Sequence, residues 1–213
     1  MSGTKAAPRR RLSAEERKQR LLDAAVEQFG EHGYGEASLR EIAAAAGVTT
    51  PVLYDHFGSK AELYAAVAWQ QADSLLERWS QPIEGGDEDV FRVTVERIFA
   101  WIEANAQGAR LLFADVPSDP VVAEAITGVL DRAVGALAQL FATPAVIELP
   151  DGLDRERVNA ALAHLAMSAV NGLAAWWWHN RDVPRAAVVS LACDVLWRGL
   201  DQLSSNPEEE PDG

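Results

Sequence analysis

Ser38, Arg40, Thr49, Thr50, Val52, Tyr54, His56 and Lys60 fall within one short stretch of a 213-residue chain, and their types suit recognition better than catalysis. Thr49 and Thr50 are short hydroxyls that suit a base edge or a phosphate, and the Val52 methyls suit a thymine methyl. Ser38, at the start of a helix pattern, adds backbone amides that favour an anion, and Arg40 supplies a cation for phosphate. Asp55 departs from such a surface, since phosphate repels a carboxylate. It either accepts from cytosine N4 or faces away. Together these side chains describe a surface for double-stranded DNA.

Two short helices must position them. Ser38 with Glu41 forms a capping box, and Leu39, Ile42, Ala43 and Ala46 share one helical face. Gly47 supplies a left-handed exit. Thr49 caps a second helix, with Pro51 tolerated in its first turn, and Leu53 and Phe57, four apart, hold it against the body. A short helix, a turn and a second short helix is the helix-turn-helix layout, whose second helix enters the major groove.

The run Gly47-Val48-Thr49-Thr50, then Leu53-Tyr54-Asp55-His56-Phe57, then Ser59-Lys60-Ala61-Glu62-Leu63 resembles the signature of the TetR (tetracycline-repressor) family. Upstream, Arg20 to Ala25, Phe29, Gly33-Tyr34 and Ser38 resemble that family's first helix and its junction. The resemblance covers residues 13 to 66. It implies phosphate contacts for Tyr54, His56 and Lys60, and pairing of subunits through the last two long helices.

Charge is divided along the chain. The formal net charge is −13, yet residues 1 to 70 carry nine Lys/Arg and nine Asp/Glu, so the deficit lies beyond them. The first 20 residues hold seven basic groups against Glu15 and Glu16. An acidic body repels DNA at long range while a basic arm and the helix termini orient the correct face toward it. A basic N-terminus is by itself a solvated tail; beside a helix-turn-helix it reads as an arm for phosphate or the minor groove.

Apolar residues recurring at three and four predict an all-α chain of about nine helices. Residues 1–12 read as a flexible basic arm, 13–66 as a three-helix DNA-binding domain, 67–205 as a larger ligand-binding and dimerisation domain, and 206–213 as a disordered acidic tail. Ser13 with Glu16 caps a first helix running to about Glu31, and Ser59 with Glu62 caps a fourth running toward Trp79. A loop at Pro82 to Asp89 precedes helices over about 89–105, 108–114, 120–142, 154–180 and 184–204, with a loop at Thr143 to Gly152. The last two helices are apolar on nearly all sides, so one subunit cannot cover them. They predict a homodimer through a four-helix bundle.

Phe99, Trp101, Phe113, His164, Met167 and Asn171 combine apolar bulk with a few polar tips. They are candidates to line a pocket for an unknown, hydrophobic small-molecule effector, although aromatics at helical spacing also make plain core. In Trp176-Trp177-Trp178, consecutive residues point about 100° apart, so at least one faces an interface or a pocket mouth.

The four histidines and single Cys193 show no metal-ligand spacing, and no nucleophile elbow or phosphate-binding glycine loop occurs. Neither an enzyme nor a cofactor is expected. One cysteine excludes an internal disulfide, no apolar run approaches the roughly 18 residues of a membrane span, and the start lacks a secretory core. These point to the cytoplasm and away from a membrane. The expected function is a DNA-binding transcriptional regulator, in first place a ligand-released repressor on a pseudo-palindromic operator. An activator or a chromosome-organising protein of the same family is the alternative.

Overall fold

The computed structural model describes residues 13–79, 81–84, 87–114, 117–140 and 154–204. The expected arm (1–12), the 143–152 loop and the 206–213 tail lie outside them. Among the described residues the chain is helical, without strands: α1 Ala14–Glu36, α2 Leu39–Ala45, α3 Thr50–His56, α4 Lys60–Trp79, α5 Asp87–Ala104, α6 Ala106–Ala109, α7 Pro120–Leu140, α8 Arg155–Trp178 and α9 Arg185–Ser204. A π turn, Arg110–Ala114, continues α6.

Local chemistry explains the boundaries. Ser13 and Glu16 form the full reciprocal box, with the Ser13 N–H donating to Glu16 at 2.7 Å and the Glu16 N–H to Ser13 Oγ at 3.1 Å. The box expected at Ser38 is half present: Ser38 Oγ accepts the Glu41 N–H at 3.4 Å. At the start of α4, Ser59 Oγ accepts from the Glu62 N–H while the Glu62 carboxylate reaches the Gly58 N–H.

The structure extends α1 five residues past the expected end at Glu31. Gly33 leaves the helix at φ 76°, ψ 171°, and the chain then makes one further turn to Glu36. The glycine there makes a joint inside the helix rather than an exit. Gly47, at φ 71°, does end α2 in the left-handed region. The expected 108–114 helix starts earlier, at Ala106, and widens into the π turn.

Two apolar clusters result. One gathers Leu21, Ala25 and Phe29 of α1, Ile42 of α2, Leu53 and Phe57 around α3, and Leu63 to Ala68 of α4. Leu111, Val122 and Ile126 join it from further along the chain. The other is built from α5, α7, α8 and α9 around Phe99, Trp101, Ile102 and Trp177, with Trp79 of α4. Helix α4 therefore runs through both, packing along α7, while α5 lies along α9 and α7 along α8. Close approach of α4 and α7 rests on Gly128, where a Cβ would stand 2.9 Å from the Trp69 ring.

No span of membrane-crossing length was expected, yet α8, at 24 residues, is long and apolar enough for one by length and composition. Core helices of soluble proteins pass the same test. A third of its most apolar window is buried, and Asn159, His164, Ser168 and Asn171 interrupt it. Its exposed side carries Leu165 and Trp176, and α9 exposes Leu191 and Val195.

Two glycines should respond in opposite directions to substitution by alanine. Gly47→Ala places a Cβ in the left-handed region and should cost about 1–2 kcal/mol. Gly135→Ala, in an α7 position with open space around it, should add about 0.5–1 kcal/mol through helix propensity alone. Urea midpoints of the two variants on either side of the parent check both.

Candidate nucleic-acid interface

Helix α3 has seven residues, and its surface is split. Leu53 is fully buried and Phe57 is 5% exposed, both locked into the first cluster. Thr49, Pro51, Tyr54 and Asp55 are exposed, and Thr50, Val52 and His56 are half-buried. A two-turn helix is not stable alone, so the buried pair determines which residues face outward.

Thr49 sits at the N-cap position with extended backbone, but its side chain makes no capping hydrogen bond, contrary to expectation. Pro51 at the helix start already removes one of the amides that a cap would satisfy. The Thr49 hydroxyl thus stands at the entry of α3 without a capping bond. Tyr54 is 49% exposed, unusual for a large ring without a partner surface. Arg40 is exposed on α2. Pro51 was not among the expected contacts, although its position in the first turn between Thr50 and Val52 puts its ring on the same outward surface.

Lys60 is placed differently from a free phosphate cation. Its Nζ donates to the Gly35 carbonyl at 3.0 Å and lies 5.1 Å from the centre of the Tyr34 ring. Burial lowers its pKa, opposed by the nearby Glu36 carboxylate. The ammonium fastens the start of α4 to the end of α1, and only its remaining donors are open to a phosphate. Tyr34 in turn donates to Asp119 at 3.4 Å. Its pKa is raised by burial, then by the Asp119 charge.

The six candidate pocket residues do not converge. An apolar cavity of ≈ 40 Å³ lies between α4, α7, α8 and the π turn, and Phe113, Met167 and Asn171 line it. Phe99 and Trp101 are instead sealed in the core: Phe99 packs edge-on to Trp177, and Trp101 Nε1 donates to Ser74 Oγ at 3.2 Å. His164 faces outward from α8. Apolar bulk with a few polar tips picks out all six but does not say which neighbour each side chain meets. Leu76, Trp79, Ile126 and Leu130 line the cavity from α4 and α7, where no lining residue was expected. Of the three tryptophans, Trp177 is buried and donates to the Val183 carbonyl at 2.8 Å, Trp178 lies half-buried against Arg181, and Trp176 is 46% exposed.

Residues 21–67 match the profile described as bacterial regulatory proteins, tetR family. The HTH-type transcriptional activator FasR of Mycolicibacterium smegmatis is 33% identical over 196 residues, which cover 91% of this chain and 87% of FasR. The probable acrEF/envCD operon repressor of Escherichia coli K12 is 32% identical over 98 residues, 46% of this chain and 44% of that one. Among solved structures, a TetR-family transcriptional regulator from Streptomyces coelicolor aligns with a TM-score of 0.72 at 21% identity, covering 94% of each chain. FadR from Bacillus subtilis, in complex with stearoyl-CoA, aligns at 0.64 and 18% identity over 84% of this chain and 95% of its own.

Charge-removing variants separate the expected phosphate contacts. Residues 13 to 66 carry five basic and nine acidic groups, so Lys5, Arg9, Arg10 and Arg11 balance them. Arg40→Ala should lower the slope of log K against log salt by about one. Gln at all four arm positions should lower it further, by about 0.9 for each phosphate that the arm had neutralised. Thr50→Ala should leave the slope alone and relax preference at one base pair. Fluorescence anisotropy across a salt series on cognate and scrambled duplexes reads all three.

Proposed function

This chain belongs to the TetR family of DNA-binding transcriptional regulators, and we propose that it acts as a homodimer whose affinity for a two-half-site operator falls when a hydrophobic small molecule binds. In this reading residues 13–66, preceded by the basic arm, form the DNA-reading unit, and 67–205 form the effector-binding and dimerisation unit. The observation that carries it is the split surface of α3: Leu53 and Phe57 are locked inward while Thr49, Pro51 and Tyr54 are left uncovered. Ser38, Arg40, Thr49, Thr50, Val52, Tyr54 and His56 are the proposed DNA contacts, with Lys60 contributing through its open donors. Half-sites then lie about 34–36 Å apart, or a multiple of that, on one face of the duplex.

The dimer reading is supported by the exposed faces of α8 and α9. Ala161, Leu165, Ser168, Gly172 and Trp176 recur on one side of α8, and Ala187, Leu191 and Val195 on one side of α9. Leu165 and Val195 are each 64% exposed, which is costly for isolated large apolar side chains set in a continuous stripe. The small residues between them permit close helix approach. Two copies related by a twofold axis would cover both stripes in a four-helix bundle.

The effector reading is supported by the apolar wall of the cavity between α4, α7 and α8. At ≈ 40 Å³ it holds little more than one water-sized volume, so a ligand must enlarge it. Its lower wall continues, through Leu76 and Trp79, into an open groove of ≈ 830 Å³ that carries Arg132 paired with Asp73. The related fold of FadR from Bacillus subtilis is in complex with stearoyl-CoA; the cavity here suits a molecule of apolar character. Binding acts on DNA only if the ligand prefers the state with misplaced reading units.

Repression results directly when the operator overlaps a promoter. Activation is the second reading, and one observation favours it: the relative matched along nearly its whole length is an activator. A reporter with the selected operator placed over, and then upstream of, the promoter distinguishes the two by the sign of the change.

Selection of duplexes from a random pool should yield an inverted repeat bound by one dimer. Leu165→Asp with Val195→Asp should shift sedimentation from dimer to monomer and weaken operator binding by more than about a hundredfold, since each half-site is then held separately. A pool with no enriched repeat would overturn the function, and a monomeric parent at micromolar concentration would overturn the dimer.

A further inference from the structure

The end of α1 is held by a residue that no DNA contact or pocket reading includes. Arg110 Nη1 donates to the Gly30 carbonyl at 2.9 Å and to the Glu31 carbonyl at 3.0 Å. These carbonyls stand in the last turn before the break at Gly33, where a helix presents unsatisfied acceptors and a partial negative charge. A guanidinium fits both features. The approach is close: a Cβ on Gly30 would stand 2.3 Å from Gln107 Cβ and 2.7 Å from its Cα, so α6 crosses α1 at a glycine with no room for a methyl.

The three residues after Arg110 give this hold its importance. Leu111 is 2% exposed and belongs to the cluster of α1–α4, and its carbonyl accepts the buried Tyr64 hydroxyl at 3.1 Å. Leu112 and Phe113 line the apolar cavity. Thus one π turn carries two residues fastened to the reading unit followed by two that wall the cavity. Rigid backbone joins them, so Leu112 and Phe113 cannot be pushed far without moving the Arg110 guanidinium and the Leu111 carbonyl. Such π turns are rare and are often found at functional sites.

We propose that Arg110 is the positioning residue that sets the DNA-reading unit on the rest of the chain, clamping the end of α1 from the turn that walls the cavity. The clamp stands on geometry alone; its link to an effector rests on the cavity reading above. Tyr34 with Asp119 and Lys60 with Gly35 brace the segment beyond the Gly33 joint, so Arg110 is the hold on the α1 side of that joint.

The test reads position without DNA. In a Cys193→Ser background, spin labels at Ala44 on α2 and Glu124 on α7, both exposed, report the distance between the two parts. Labelled chain is diluted in unlabelled protein so that only the intrachain pair is read. The parent should give one narrow distribution. Arg110→Gln should broaden it at least twofold, and Arg110→Lys should restore much of the width. Arg157→Gln, which removes an exposed ion pair with Asp154 far from the clamp and the cavity, should leave it unchanged. Gly30→Ala keeps the arginine but forces α6 from α1, and should shift or broaden the distribution even if Arg110→Gln does not fold. On a duplex selected by the parent, Arg110→Gln should raise Kd about tenfold and Arg157→Gln less than threefold. A parent-like distribution in Arg110→Gln, with or without a lower Tm, overturns the proposal. So does a parent-like distribution in Gly30→Ala. Neither result bears on whether α3 reads DNA, which the duplex selection decides separately.

Discussion

Burial of Leu53 and Phe57 is the constraint on which the rest depends. Seven residues make one or two intrahelical turns, and nucleation costs more than so few hydrogen bonds return. Helix α3 exists because two side chains reach the cluster built by α1, α2 and α4. Its orientation is therefore a property of that cluster, and the outward set from Thr49 to Tyr54 is whatever the inward pair leaves over. The same cluster admits Leu111, Val122 and Ile126 from the later part of the chain. The reading helix thus shares its foundation with the segments that surround the cavity, and no flexible linker separates them.

Electrostatics assigns the parts different tasks. Helix α3 has no Lys or Arg among its residues and carries Asp55, so its own side chains supply little non-specific attraction. On the proposed reading, attraction comes from Arg40, the open donors of Lys60, amides at the helix starts and the four basic groups of the arm. The strongly acidic remainder would limit attachment in wrong orientations. Affinity and base preference would then reside on different residues, which would allow one to change without the other.

Short-range chemistry was legible in the sequence and long-range contacts were not. Ser13 with Glu16, and Ser59 with Glu62, announce their caps because partners three apart on a helix must meet. Gly47 announces a left-handed turn because few other residues tolerate one. Gly33 carries the same signal yet marks a joint within a helix, since the path of the chain beyond it is decided by packing against Arg110 and Asp119, about 80 residues away in sequence. The family resemblance implies a phosphate contact for Lys60, but Gly35 and Tyr34, about 25 residues earlier, hold it. Phe113, Met167 and Asn171 meet at one cavity, whereas Phe99 and Trp101, equally plausible by composition, are sealed in the core on α5, and His164 falls on the outward arc of α8. Periodicity yields the buried arc; only the crossing of helices decides what each arc encloses.

The cavity's walls are unequal, and on the proposed effector reading that inequality determines where an incoming molecule would act. Helices α4, α7 and α8 are 20, 21 and 24 residues long and pack along one another. Moving any of them disturbs many contacts at once, and close-packed interiors resist such shifts. The α8 wall is held further if its opposite face, from Leu165 to Trp176, is covered by a second copy. Ile98 of α5 adds one side chain, and the remaining wall is a five-residue π turn after a four-residue helix, a shorter element with fewer neighbours to displace in all. On the proposed effector reading, enlarging ≈ 40 Å³ to hold even a small ligand would move Leu112 and Phe113 first. The displacement would then pass through one peptide to Leu111 and its bond with Tyr64, and through a second to Arg110 and the end of α1. The short wall is also the one tied to α1 and α4, so such a route would need no rearrangement of the long helices.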